Sequence, residues 1–286
     1  MSPKSLLRII IVLALVLPVQ ALADQNGTSV VTWMHADFPP FHIIDGPYAG
    51  QGPSDMIHDL MRRELPDFEH VVITANLRRT FNWMENGENV LAVGIIPTPE
   101  RRKTMLFSIP CTMTPPVSLV VRAGEEGALL RQGRVSLREF VSSHRLGVAT
   151  DRSYGAELDA VLNPARGGGN IVVNSGPKLF DSLMGMLLLK RVDGVLAYPF
   201  EAVYVARMKG EEEKIALVSL DDAMVPVMGC IAAPRTAWGS EMIARVNEVL
   251  RRHRPEPEYR RAFERWLTPG SVEGYRALYK DFLRSE

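Results

Sequence analysis

Cysteine is nearly missing from this chain: Cys111 and Cys230 are the only two in 286 residues. No CxxC occurs, and neither cysteine has histidines at zinc-like spacing, so zinc ribbons and thioredoxin-like dithiols are excluded. The two either bridge, in a disulfide-permissive compartment, or stay as two buried thiols, and spacing does not decide between them. Net charge is missing as well, with 33 basic against 33 acidic side chains. That balance leaves no electrostatic reason to expect nucleic acid or anionic lipid as a partner. Residues 9–17 make the longest apolar run, short of the roughly 20 residues a comfortable membrane span needs. There is no GxSxG, no P-loop and no cysteine in a nucleophile-like setting, so the commonest catalytic signatures are lacking.

What is present is ordinary globular composition, 46% hydrophobic and 23% charged, with length for two average domains or one large one. Residues 1–23 stand apart. Lys4 and Arg8 precede the apolar run and Ala21-Leu22-Ala23 follows it, which reads as a cleavable export signal with Asp24 as the first mature residue. Loss of Lys4 and Arg8 would leave the mature chain at about −2. No cysteine stands at the cleavage point to carry a lipid, so the expected product is a free protein of a Gram-negative periplasm.

The most informative stretch is residues 90–108, VLAVGIIPTPERRKTMLFS. Residues 90–96 read as a buried strand, stopped by Pro97 and Pro99, which have no N–H to give to a sheet ladder. Thr98, Glu100, Arg101 and Arg102 then stand at the strand's carboxyl end, where open α/β sheets bind ligands. An arginine there offers a planar two-pronged donor for a carboxylate or phosphate. Arg102 and Lys103 read as a solvated turn, and Arg101 as the candidate anchor.

Around it the chain alternates strands and helices. Strands at 30–34, 71–74 and 90–96 enclose a helix after a Ser54 N-cap and a second one capped by Asn76 and ended by Asn86-Gly87. That β-α-β-α-β order asks for a mostly parallel sheet with right-handed crossovers. A second α/β unit follows: helix 136–143, strand 146–149, helix 156–162, strand 171–173, helix 179–189, strand 192–197, helix 201–208 and strand 215–219. Residues 118–122 and 227–233 read as extended segments joining the units, and helices 240–253, 258–267 and 272–283 close the chain. The expected architecture is α/β with two lobes: residues 24–118 plus 224–286 form the first, and 119–223 the second. A ligand would sit in the cleft between them.

Several landmarks occur in order: the export signal, ADFPPF at 36–41, GQGPSDMIHDL at 50–60, TPERRKTMLFS at 98–108, LGVATDRSYGAEL at 146–158, KRVDGVLAYP at 190–199 and a C-terminal helix carrying Trp266. Together they resemble the bacterial family 3 extracellular solute-binding proteins, whose type II periplasmic fold serves the polar amino-acid binding proteins. Within that family the chain looks most like a subgroup with DFPPF and TPER signatures. The resemblance implies a periplasmic solute-binding protein that closes by hinge motion over a small anionic or zwitterionic, amino-acid-like ligand. It also implies a monomer working with an ABC permease or a membrane sensor, with no enzymatic activity and no cofactor. Arg101 falls on the family's carboxylate clamp, and Thr98 and the backbone near Ile96 on its hydrogen-bonding partners. Thr150, Asp151, Arg152 and Ser153 fall on the second-lobe turn that completes the anion site, and Phe38 and Phe41 would flank the ligand. Where the family places an aspartate for the α-ammonium this chain has Tyr198, and Asp151 puts a negative charge near the proposed anion site. An α-amino acid would therefore need Asp37, Asp151 or Glu201 as a substitute partner.

Other residues admit two readings each. Asp37 is an ammonium partner or a turn residue hydrogen-bonding its own backbone before Pro39. Phe38 and Phe41 are ligand walls or packing, Tyr154 and Tyr198 second-lobe contacts or half-buried packing, and Trp33 reads as core. His35, His42 and His58 with Asp37 and Asp45 fit neither HExxH nor a zinc ribbon, so no metal site is expected. A dehydratase would use a cleft glutamate, Glu157 or Glu201, for which no motif speaks. A ligand-sensing module for a signalling receptor is the other alternative.

Overall fold

A computed structural model describes residues 29–285 apart from 131–132, 151, 153, 166–167 and 176–178. The proposed export signal lies outside the described residues, and among those described no helix is long and apolar enough to cross a membrane.

β1 (Ser29–His35), α1 (Pro53–Glu64), β2 (Phe68–Thr74), α2 (Leu77–Glu85) and β3 (Val90–Ile95) follow the expected β-α-β-α-β order. The three strands pair in parallel as β2-β1-β3. α2 is capped as its sequence asks, with Asn76 Oδ1 accepting from the Arg79 N–H at 2.9 Å. α1 starts differently. The cap is Gly52, not Ser54, and Pro53 takes the first helical position, where its missing N–H costs nothing. The Ser54 N–H instead goes to the Phe41 carbonyl at 2.8 Å, tying the helix to the preceding loop. Gly52 is required there, since a Cβ would fall 2.3 Å from the carbonyl oxygens of Pro40 and Phe41.

α3 (Arg101–Thr104) is a single turn leading into β4 (Met105–Thr114), a ten-residue strand with no local sequence signal. Pro110 lies inside it and its burial does not alternate. The proline suits its position at the edge of the sheet, order β2-β1-β3-β10-β4.

The second sheet begins with β5 (Ser118–Arg122). α4 (Glu126–Leu129), α5 (Leu137–Ser143), β6 (Leu146–Ala149), α6 (Ala156–Ala165), β7 (Ile171–Asn174), α7 (Leu179–Leu188), β8 (Gly194–Ala197), α8 (Pro199–Lys209) and β9 (Ile215–Ser219) complete it. Its order is β7-β6-β8-β5-β9, parallel except for β5, which runs against both β8 and β9. β10 (Val227–Pro234) then returns to the first sheet, antiparallel between β3 and β4. α9 (Ala237–His253), α10 (Pro257–Glu264) and α11 (Val272–Arg284) follow it. The fold is thus two lobes, each a mixed five-stranded sheet with helices.

Each lobe buries its own core. Trp33, Ile57, Met61, Leu91, Phe263 and Trp266 lie together in the first, and Leu119, Phe140, Leu146 and Leu162 in the second. Cys111 and Cys230 are buried as free thiols on β4 and β10, not joined in a bridge. α8 serves both lobes. Its Ala202 and Ala206 pack with Leu183 and Leu187 of α7, whereas Phe200, fully buried, joins the first core. There the Phe200 ring meets Phe41 at 5.6 Å and Tyr275 at 5.8 Å between centroids, both edge-on.

Candidate functional site

The carboxyl ends of β1 and β3 open onto a cleft of about 1540 Å³ whose walls come from both lobes. On the first-lobe side it is lined by Asp37, Phe38, Phe41, Ile96 and Arg101, and on the second by Arg152, Tyr198 and Glu201. Thr98 and Thr150 are not on its surface, and Asp151 and Ser153 lie outside the described residues.

Arg101 owes its place to the two prolines that end β3 and to the turn behind them. Its N–H donates to Thr98 Oγ1 at 3.3 Å, and its Nη1 donates to the Ile96 carbonyl at 2.8 Å. Its Cζ stands 4.7 Å from the centroid of the Phe81 ring on α2. No carboxylate among the described residues pairs with it. Partial burial lowers its pKa from the usual arginine value. A guanidinium has five N–H donors; one is spent on Ile96, so the rest of the fork is available to an acceptor in the cleft. A half-buried, aromatic-backed arginine with no carboxylate partner among the described residues is suited to a bidentate anion.

Phe38 is 44% exposed and stacks on Phe41, centroids 5.9 Å apart and planes 21° from parallel. Phe41 is buried and carries that wall back to Phe200. Asp37 is exposed at the cleft and makes no hydrogen bond or ion pair among the described residues, so it is not the self-bonded turn aspartate.

Arg152 is differently placed. Both prongs reach Glu201, Nη1 to Oε1 and Nη2 to Oε2, each at 2.9 Å. Its Cζ lies 5.4 Å and 5.2 Å from the ring centroids of Tyr154 and Tyr198. Burial alone would lower its pKa, and the Glu201 carboxylate more than offsets that. Tyr154 is buried, with its hydroxyl accepting from the Ala149 N–H at 2.9 Å. Burial raises the pKa of Tyr198, which keeps that hydroxyl protonated at the cleft. Glu201, weighed from sequence only as an ammonium partner or a catalytic carboxylate, is thus committed to an ion pair. Its partner lies 49 positions away, so no local pattern could reveal it.

A second group sits behind the Phe38–Phe41 loop. One donor atom each from His35, His42 and Asp55 lies within 4.8 Å of the others. The His35 ring stands edge-on to those of His42 and His58, centroids 3.8 Å and 4.9 Å away. Burial, with the neighbouring His42 and His58, pulls the His35 pKa down to about 3, and burial pulls that of His58 down to about 4. Asp55 completes this group from α1, where sequence spacing offered no cue to it.

The profile of the bacterial extracellular solute-binding proteins, family 3, matches residues 30–269. No curated protein sequence matches the chain. Many solved structures do. An ancestral cationic amino acid solute-binding protein, AncCDT-1, superposes with a TM-score of 0.65 at 15% identity, over 84% of this chain and 96% of that one. A mutant of the arginine-binding protein ArgBP from T. maritima gives 0.58 at 19%, over 84% and 95%. The VFT2 domain of BvgS from Bordetella pertussis gives 0.57 at 17%, over 84% and 94%.

Proposed function

Because the chain belongs to family 3 of the bacterial extracellular solute-binding proteins, we propose that it captures a small carboxylate-bearing, amino-acid-like solute in the cleft between its lobes and does no chemistry on it. The observation that carries this reading is Arg101: half-buried, backed by Phe81, without a carboxylate partner among the described residues, and facing the cleft. In this reading residues 24–118 and 224–286 make the first lobe and 119–223 the second, except that Ser118 already pairs in the second sheet as the first residue of β5. Arg101 takes the ligand carboxylate, with Thr98 and Ile96 fixing its geometry. Phe38 covers the ligand body, and Tyr198 offers a hydroxyl from the opposite wall. Glu201 is held by Arg152, so Asp37 is the residue placed to meet an ammonium group. The site is periplasmic, and the protein acts as a monomer.

The test is a thermal-shift screen of stripped protein against amino acids, organic acids and polyamines, followed by calorimetry of any hit. Truncating one partner of a charge pair that the bound ligand buries costs about 2–5 kcal/mol, so Arg101→Ala should weaken a carboxylate hit about 30- to several-thousand-fold. Unchanged affinity in that variant refutes the assignment.

A sensory role is the second reading, favoured by the superposition on the BvgS domain and on a histidine kinase sensor domain with similarity to periplasmic binding proteins, TM-score 0.54 at 17% identity. Ligand-dependent capture of a permease from solubilised membranes supports transport, and capture of a kinase or cyclase receptor supports sensing.

A further inference from the structure

We propose that His35, His42 and Asp55 form a binding site for a divalent transition-metal ion of the zinc class at the floor of the cleft. The three residues come from three elements that the fold fixes against one another. His35 is the last residue of β1. His42 is held by paired backbone hydrogen bonds with Phe38, at 3.2 and 3.1 Å. Asp55 lies in the first turn of α1.

Asp55 is oriented as a ligating carboxylate needs to be. Its Oδ2 accepts from the N–H groups of Gly52 at 2.9 Å and Ile43 at 3.2 Å. That leaves Oδ1 turned to His42 Nδ1, with which it is in direct contact. A ligating carboxylate tied down through its other oxygen is the usual supporting arrangement in metal sites.

His35 supplies the second, independent observation. It is 7% exposed, and its Nε2 is buried with no hydrogen-bond partner among the described residues. Leaving a polar atom like this without a partner is costly in a protein interior, and a metal ion would resolve it. Of the neighbouring histidines, His58 also has a buried Nε2 without a partner among the described residues, but it does not belong to the group of three donors, and His70 is not available. Both ring nitrogens of His70 are engaged, Nδ1 by the Trp33 indole at 2.9 Å and Nε2 with the Leu65 carbonyl at 3.0 Å.

Two imidazoles and one carboxylate suit zinc, cobalt, nickel, iron or copper; calcium and magnesium demand mostly oxygen. Ligands at 2.0–2.2 Å in a tetrahedron stand roughly 3.4 Å apart, so small side-chain rotations bring the three donors onto one ion. Three protein donors leave a fourth position, and both His35 and His42 line the cleft onto which it would open.

The test titrates chelator-stripped, untagged protein with Zn2+, Co2+, Mg2+ and Ca2+, using a competing metal dye. One equivalent of Zn2+ or Co2+ should bind, and Mg2+ and Ca2+ should not compete at equal concentration. His35→Gln and His42→Gln should each weaken Zn2+ binding beyond the roughly 10–100-fold that loss of a supporting residue costs, while His144→Ala leaves it unchanged. The proposal is overturned if no stoichiometric binding occurs, if both histidine variants bind as well as the wild type, or if His144→Ala loses binding equally. Should both variants fail to fold by circular dichroism, the Co2+ spectrum of the wild type decides. Visible ligand-field bands saturating at one equivalent support the site, and their absence overturns it.

Discussion

Converting Glu201 to glutamine should cost stability, and the cost can be worked from the geometry. Glu201 and Arg152 are 10% and 18% exposed, and two hydrogen bonds of 2.9 Å join them. A pair so far out of water has little solvent to fall back on when one charge goes. The new side-chain amide would keep an acceptor for one prong and present an N–H to the other, donor against donor. Breaking a buried pair from one side typically costs about 3–5 kcal/mol; since one hydrogen bond survives, the lower end applies. At about 2–4 °C per kcal/mol for a chain approaching this size, the melting temperature should fall by about 6–12 °C. Calorimetry on the ligand-free protein reads this directly. Arg152→Met with Glu201→Leu should recover most of the loss, because that double change removes both buried charges together. If Glu201→Gln costs less than about 1 kcal/mol, the pair behaves as a surface ion pair and the burial argument fails. If the double variant is as unstable as Glu201→Gln alone, the unbalanced charge of Arg152 is not the source of the cost.

Three further outcomes are expected. Phe200→Ala should lose about 3–5 kcal/mol, the usual cost of emptying a buried aromatic site, and urea melts that match the wild type would contradict the seating of Phe200 among Phe41 and Tyr275. Gly229→Ala should lose about 1–3 kcal/mol through overpacking, because a Cβ there falls 2.4 Å from Thr112 Oγ1 and 3.0 Å from the Gly94 backbone; an unchanged denaturation midpoint refutes it. Arg276, then Arg260, hold the Glu264 carboxyl below its ordinary range through hydrogen bonds of 2.6 to 2.9 Å. A depressed folded pKa gives stability that is present above the unfolded value, near 4.5, and lost as pH falls through the lower folded value. Glu264→Gln should therefore flatten the acid limb of the stability curve below pH 4.5, and an acid limb identical to the wild type would refute the contribution.

The parallel half of each lobe was legible because its signals are local. Apolar runs, the Asn76 cap and the glycine after α2 each specify an element within a few residues. β4 was not legible, since Pro110 interrupts it and its partner β10 lies more than a hundred positions on. The position of Arg101 could be read from Pro97 and Pro99, which end the strand before it. What Arg152 does with its charge could not, because Glu201 meets it only after β6 and β8 are paired and α8 is docked. The same holds for Asp55, which joins His35 and His42 through the closing of a loop on a helix, a contact that spacing rules for metal motifs do not describe.

α8 has a consequence for how this molecule breathes. Two covalent strands, at 115–117 and 220–226, link the lobes, and Phe200 adds a third fastening that can be undone. Any excursion that carries α8 away with the second sheet must draw that ring out of its socket into water. Exposing a phenylalanine side chain costs about 1.5–3 kcal/mol, which makes the unseated arrangement about 10- to 100-fold rarer than the seated one. The plug therefore sets a resting population before any solute arrives. A solute that favours one arrangement has only that modest bias to overcome, so its occupancy can be converted into a change of lobe position.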